Sequence, residues 1–239
     1  MAKLQRISNY IFISFCLVLL PANGQSKADQ DLSSLEEKTP KGMTLGVNLE
    51  GPVGHLFDND KSAFSFVTHI NLSSNWFFRG EAGFENLSFS ENHAEERNYQ
   101  YQSNGTFLKA GILYDFFNVE ERGNNDNIFI GLNYGYALQK HGSQHFLIQN
   151  GYWNDYQSSM DDYFLQTHWV ELMAGPRTEI FKNLYMGWTL NLRVKMFQNN
   201  SNPLKPYSVP GFGNGNNTIN LGFSYLIEYF IPWGNKHRK

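Results

Sequence analysis

The chain has 239 residues, of which 41% are hydrophobic and 17% charged, and its formal net charge is -3. Its one long apolar run lies at the N-terminus, so the sequence excludes a bundle of membrane-spanning helices. The charges are few and of both signs, and the aromatic content of 16% is too high for disorder. A nucleic-acid-binding surface and a disordered chain are therefore both excluded.

Residues 1–24 have the organisation of a secretory signal peptide. Lys3 and Arg6 precede an apolar stretch over 7–20, and Ala22 and Gly24 are small residues placed for cleavage after Gly24. An uncleaved anchor helix is the alternative, although the stretch is short for a bilayer span. Cys16, the chain's one cysteine, lies within this segment, so disulfides cannot stabilise the exported chain. Residues 25–41 lack an apolar period and are expected to form a flexible periplasmic leader.

Beyond the leader the chain alternates between apolar and other residues with a period of two, which is typical of β-strands. Eight such segments occur, over 43–49, 64–72, 76–84, 108–116, 128–138, 170–180, 186–196 and 219–231. Pro176 cannot donate to a strand ladder, so we expect a bulge or an early end of the sixth strand there.

The two faces of these segments differ in charge. The apolar positions hold no Asp, Glu, Lys or Arg, whereas the opposite positions carry Glu50, Arg79, Glu81, Glu85, Lys109, Asp115, Glu171, Arg177, Glu179, Arg193, Lys195 and Glu228. Alternation by itself fits two arrangements. The apolar face could fill a soluble, lipocalin-like ligand-binding barrel, or it could face lipid around a charged interior.

Segment length and aromatic placement favour the membrane arrangement. Several segments reach 11 residues or more, enough for a tilted bilayer crossing, and aromatic residues lie near segment ends at Trp76, Tyr185, Trp188, Tyr229 and Trp233. Long connectors (51–62, 90–104, 139–163, 197–216) alternate with shorter ones (73–75, 118–127, 181–183), as in barrels with long extracellular loops. The sequence predicts an all-β, eight-stranded antiparallel transmembrane outer-membrane β-barrel over 42–233, with a basic tail over 234–239.

The final segment contains a pattern that resembles the signal read by barrel-insertion machinery, formed by Asn220, Gly222, Tyr225 and Ile227. Four further runs carry a family resemblance: 44–52, 129–135, 183–188 (Asn-Leu-Tyr-Met-Gly-Trp) and 209–213 (Val-Pro-Gly-Phe-Gly). With them the chain resembles an uncharacterised family of Bacteroidetes outer-membrane barrels known only as a domain of unknown function. The resemblance implies a cell-envelope location and supplies no activity.

Candidate catalytic and metal sites are weak, so we assign no catalytic, cofactor-binding or metal-binding residue and expect no enzyme. His141 and Ser143 resemble the pair of lipid A deacylases but fall in a predicted loop, and Asp161, Asp162 and His168 resemble the residues of larger outer-membrane proteases. Possible metal ligands are His93 with Glu95 and Glu96, or His141 with His145, and neither set has four ligands. The glycine-rich run 211–215 is expected to be a flexible loop. An outer-leaflet lipid-modifying hydrolase remains the alternative function.

The third long connector is unusually apolar for a solvated loop. It contains Phe146, Leu147, Ile148, Tyr152, Trp153, Tyr156, Met160, Tyr163 and Phe164. These residues could bind glycan, lipopolysaccharide or a protein, or they could extend strands five and six beyond the membrane. We therefore expect a noncatalytic role in envelope structure, or in surface binding through the long extracellular loops two, three and four (90–104, 139–163 and 197–216). The expected partners are outer-membrane lipid, lipopolysaccharide and the insertion machinery, with a possible surface ligand or protein at the long loops.

Overall fold

A computed structural model describes residues 41–55, 59–73, 75–93, 97–116, 126–150, 153–199 and 205–233, without the side chains of 89–100 and 143–162. The elements are β1 (Gly42–Asn48), α1 (Glu50–His55), β2 (Lys61–Asn71), β3 (Trp76–His93), β4 (Arg97–Asp115), β5 (Asn127–Asn150), β6 (Trp153–Phe181), β7 (Leu184–Gln198), β8 (Ser208–Val209), β9 (Gly213–Asn214) and β10 (Ile219–Pro232). The predicted signal peptide, most of the leader and the basic tail lie outside the described residues.

The eight long strands form a closed antiparallel barrel, as predicted. Each strand pairs with its neighbours along the chain, and β1 closes the barrel against β10, from Gly42 opposite Pro232 to Asn48 opposite Leu226. The small pair β8–β9 forms a separate hairpin between β7 and β10.

The faces of the barrel are those of a membrane protein. Leu132 and Leu190 on the outer wall are 54% and 58% exposed, whereas Arg79, Glu81 and Glu171 inside are almost fully buried. A soluble barrel would place its apolar residues inside, so the lipocalin-like alternative is wrong.

The barrel has two different ends. Both described chain termini lie at one end of the barrel, together with the last residues of β2, β4 and β6 and the first residues of β3, β5 and β7. We call this end the termini end, and we call the opposite end the loop end. A two-residue turn joins β6 to β7, and its Asn183 has a φ of 66°. Asn tolerates this left-handed conformation better than most residues do. The Asn183 backbone N–H donates to Glu179 Oε1 at 2.6 Å, which stabilises the turn.

Strands β3 to β6 continue beyond the barrel at the loop end. Pairing of β4 with β5 extends to Arg97 opposite Ile148, and pairing of β5 with β6 extends to Asn150 opposite Trp153. Within the described residues, β2 accompanies β3 only to Leu87. The part of these strands that lies past the barrel rim comprises residues 88–93, 97–102, 142–150 and 153–166, and we call it the projecting sheet. The predicted connectors 90–104 and 139–163 are thus mainly strand, which is the second of the two interpretations given for the third connector.

Two local predictions differ from the structure. Strand β6 continues through Pro176, since Ala174 opposite Leu190 and Arg177 opposite Gly187 share one register with β7, and the register shifts lie elsewhere. The first long connector contains α1, and Glu50, expected on a strand, is its first residue. The described part of the chain holds no helix long and apolar enough to cross a membrane.

Candidate functional site

The middle of the lumen is a network of buried ion pairs centred on Glu171. Its Oε2 lies 3.1 Å from Lys109 Nζ and 2.8 Å from Arg193 Nε, and its Oε1 accepts a hydrogen bond from Asn133 Nδ2 at 3.0 Å. All four side chains are at most 4% exposed. Inward positions on β4, β5, β6 and β7 supply these groups, so the network joins four strands across the barrel.

A second carboxylate, that of Glu81, extends the network across the lumen. Glu81 Oε2 lies 2.7 Å from Arg79 Nη2 and 3.4 Å from Lys109 Nζ. Glu81 Oε1 accepts hydrogen bonds from Asn48 Nδ2 at 3.2 Å and Ser65 Oγ at 2.9 Å. Lys109 therefore bridges the Glu81 and Glu171 carboxylates, and each buried charge has an opposite charge beside it, as buried ions require.

At the loop end the network reaches solvent through α1. Arg193 Nη2 lies 3.2 Å from Glu50 Oε2, and the Glu50 side chain is 36% exposed. Ser224 Oγ donates to the same Glu50 oxygen at 2.9 Å. The short helix thus places a carboxylate over the barrel mouth.

Nearer the termini end lies a separate cluster around Glu228. His69 Nδ1 is 2.6 Å from Glu228 Oε1, and Arg177 Nη1 is 3.7 Å from Glu228 Oε2. The Arg177 guanidinium also lies over the rings of Phe129 and Tyr185, 4.8 and 4.9 Å from their centroids. Aromatic faces stabilise a guanidinium that is removed from water.

The fourth long connector folds back into the barrel. We call residues 207–217 the plug, and its tip is the Val209-Pro-Gly-Phe-Gly213 run. The Phe212 N–H donates to Val209 O at 3.0 Å, with Pro210 and Gly211 between them and a Gly211 φ of 70°. Proline followed by a glycine at positive φ is typical of a type II turn, which explains the glycine. The expectation of a flexible loop over 211–215 is therefore wrong.

Apolar contacts hold the plug tip inside the lumen. Val209 and Phe212 are 0% exposed and pack in one cluster with Phe107, Ala137 and Trp169. The rings of Phe212 and Trp169 are 5.7 Å apart between centroids. Burial of this aromatic side chain favours the inward position of the plug by about 2 kcal/mol or more.

Polar side chains of the barrel wall also hold the plug, by donating to its main-chain carbonyls. Gln139 donates to the carbonyl of Ser208 at 2.9 Å, Arg193 to that of Phe212 at 3.4 Å and Lys195 to that of Gly215 at 2.5 Å. In addition, Ser208 Oγ donates to Glu85, while Lys61 Nζ lies 3.2 Å from both Ser208 Oγ and Glu85 Oε1.

This arrangement is a filled lumen. The lumen is filled along the barrel axis by the plug, then by the ion pairs and then by the aromatic cluster around Arg177. This filling disfavours passage of solutes. Proton transfer along the network is disfavoured too, because guanidinium groups such as those of Arg79 and Arg193 do not release their protons. The geometry supports a rigid, self-compensated interior.

Of the candidate catalytic side chains, the structure describes those of His141 and His168. His141 lies within β5 and is 1% exposed, with its ring 6.1 Å from that of Tyr101, so its predicted place in a loop is wrong. His168 faces outward from β6, where its Nδ1 is 2.5 Å from the Tyr134 hydroxyl. The side chains of Ser143, Asp161 and Asp162 lie outside the described set.

Four of the five possible metal ligands lie outside the described side chains. The side chains of His93 and His145, and residues Glu95 and Glu96, lie outside the described set. Among the side chains that are described, no three His, Cys, Asp or Glu residues are grouped to hold a metal ion.

Comparison with known proteins gives a family and a set of similar folds. No curated protein matches the chain significantly. The crystal structure of Ail, the attachment invasion locus protein of Yersinia pestis, is similar with a TM-score of 0.39 and 9% identity, over 81% of this chain and 98% of Ail. That of Neisserial surface protein A (NspA) has a TM-score of 0.39 and 8% identity, over 79% and 94%. Residues 7–236 match a family described as a domain of unknown function, DUF6048, and the chain belongs to that family.

Proposed function

We propose that the protein is an exported, noncatalytic outer-membrane β-barrel that presents its projecting sheet at the cell surface for binding. The outer wall carries this proposal. On β5 the outward residues from Ile128 to Leu138 are all apolar or tyrosine, and the next outward residues are Asp126 and Lys140. These eleven residues of tilted strand span about 25 Å along the barrel axis, which is the height of the apolar band of outer-membrane barrels.

The same geometry supports one orientation in the membrane. Both ends of the barrel domain lie at the termini end, where a chain inserted from the periplasm would keep them. The projecting sheet then faces the outside, and β5 continues ten residues past Lys140, or about 33 Å of extended chain. Strands that extend past the barrel rim offer main-chain contacts to a surface ligand or protein. The plug, in contrast, faces the lumen, so the fourth connector contributes little to such a surface.

A noncatalytic role fits the position of His141 better than a hydrolase does. Its imidazole is 1% exposed inside β5. A lipid of the outer leaflet would not reach it without opening the barrel wall. A hydrolase remains the alternative, and the variants His141→Ala and Ser143→Ala would abolish any lipid hydrolysis that depends on this pair.

Cysteine labelling in intact cells tests location and orientation together. Cys16 is changed to Ser, and single cysteines are placed at Asn150, the last residue of β5, and at Lys182 in the turn before β7. We expect a membrane-impermeant maleimide to label Asn150→Cys in intact cells, and Lys182→Cys only after the outer membrane is permeabilised. The reverse pattern would refute the orientation. A mature chain that folds as a monomer without detergent would refute the membrane location.

A further inference from the structure

The barrel wall changes character on one side, between β10 and β2. Strand β1 lies between these two strands and ends at Asn48, which is opposite Leu226 of β10 and Ser65 of β2. Residues 219–224 of β10 and 61–64 of β2 continue beyond that point towards the loop end. The helix α1 follows β1 there, and we call the boundary between α1 and residues 219–224 of β10 the seam.

Helix α1 covers the edge of β2. A Cβ added at Gly51 would lie 2.2 Å from the main-chain oxygen of Ala63, so the helix is in close contact with this strand. His55 Nδ1 lies 2.7 Å from the main-chain oxygen of Lys61 and donates to it, because a carbonyl oxygen only accepts. The helix thus takes the place of β1 beside β2.

The facing edge of β10 has main-chain groups that α1 leaves unpaired. The Leu49 N–H donates to Tyr225 O at 2.7 Å, so the main-chain groups of Tyr225 point towards β1 and the seam. Every second residue of a strand directs its main-chain groups to the same side, so those of Leu221 and Phe223 point into the seam as well. In the part of the chain that the structure describes, no main-chain hydrogen bond from α1 reaches these two residues.

This edge lies at membrane depth. Phe223 is opposite Leu190 and Leu221 is opposite Leu192 on β7, where the outward residues from Met186 to Met196 are all apolar or tryptophan. An open sheet edge is costly within the hydrocarbon layer, because no water is there to pair with its N–H and C=O groups. A bound group is therefore expected to cover this edge, an argument that rests on the outer-membrane location proposed above.

We propose that the seam binds a lipid of the outer leaflet through a sugar in its head group. On the lumen side, Glu50 spans the seam from α1, with its Oε2 2.9 Å from Ser224 Oγ and 3.2 Å from Arg193 Nη2. The Glu50 side chain stays partly exposed and offers an acceptor beside the free edge. Sugar hydroxyl groups donate to carboxylate and C=O oxygens and accept from N–H groups, so they match both kinds of group at the seam.

The outer side of the seam suits an acyl chain. Leu221 is 83% exposed, and Phe223 and Val53 beside the seam are exposed as well. Because these side chains are apolar, they favour contact with the hydrocarbon part of the same lipid.

Charge selects an uncharged head group. A phosphate in the seam would face the exposed part of the Glu50 carboxylate. An ammonium group would lie near Arg193, and the network already balances three carboxylates with three cations. These are Glu50, Glu81 and Glu171 with Arg79, Lys109 and Arg193.

Nuclear magnetic resonance of the full mature chain, refolded in phosphatidylcholine nanodiscs that contain an alkyl glucoside, is the direct test. We expect nuclear Overhauser effects between the glucose protons and the amide protons of Leu221 and Phe223. The methyl groups of Leu132, on a strand paired along both edges, should contact acyl chains only.

The same spectra separate failure of this proposal from failure of the membrane location. Acyl contacts at Leu132 without glucose contacts at the seam, or with glucose contacts at both places, would overturn the seam proposal alone. A Leu132 that contacts no acyl chain would refute the membrane location and the seam proposal together. Equal contacts from an alkyl phosphate of the same chain length, contacts with water only, or contacts between two copies of the chain would also overturn the proposal.

Variants of Glu50 test its part in binding. Glu50→Ala removes the acceptor, so we expect the affinity for the alkyl glucoside to fall about fivefold. Glu50→Gln keeps an oxygen acceptor at the same place and should bind within about twofold of the wild type. Unchanged affinity in Glu50→Ala would overturn the assignment of Glu50 to the site.

Discussion

Replacing Glu171 with Gln tests whether buried ion pairs stabilise the barrel. The carboxylate is 1% exposed and has Lys109 Nζ at 3.1 Å and Arg193 Nε at 2.8 Å. The neutral amide keeps the size of the side chain but leaves both cations without this counter-charge. Removal of one partner from a buried ion pair costs about 3–5 kcal/mol. We expect a loss of that size in the free energy of unfolding.

Glu50→Gln is the matched control, because Glu50 pairs with the same Arg193 but has a side chain that is 36% exposed. Because the Glu50 carboxylate is partly solvated and Arg193 keeps its contact with Glu171 at 2.8 Å, this variant should change the free energy of unfolding by about 1 kcal/mol or less. Both are measured by reversible urea unfolding in lipid vesicles, with tryptophan fluorescence as the signal. Equal losses for the two variants, or a loss below about 1 kcal/mol for Glu171→Gln, would refute the reasoning.

Three further perturbations test the plug and the outer wall. Phe212→Ala empties a fully buried site, so we expect a loss of about 3–5 kcal/mol in urea unfolding; planar bilayers should still show no conductance, because the ion-pair layer stays closed. Gly211→Val should destabilise the barrel by about 1–3 kcal/mol, since φ is 70° and a Cβ would lie 2.5 Å from the Phe107 ring; wild-type stability would contradict the plug turn. Leu132→Arg in the middle of the apolar band should cost about 2–4 kcal/mol in vesicles, whereas no loss would contradict its contact with lipid.

The barrel wall could be predicted from the sequence because its signal is local. Successive residues of one strand point to opposite faces of the sheet. Leu132 and Asn133 are neighbours on β5, so they lie on the outer and inner face whichever strands pair with β5. The 12 charged residues on one phase then identify the interior. Nine of the predicted inward charges are buried in the lumen, which confirms that part of the site.

Only the tertiary structure decided which charges pair and what fills the barrel mouth. Glu171 and Lys109 are 62 residues apart in the chain, and closure of the sheet brings them together. The plug had a weak signal, namely Val209 and Phe212 within a glycine-rich run. Their burial depends on Trp169 and Phe107, which lie on other strands. The projecting sheet could not be predicted from the sequence either. Strands outside the bilayer need no uniform apolar face, so their sequence shows no period of two. Alternation along one strand fixes which way a side chain points, whereas its partner depends on the fold of the whole chain.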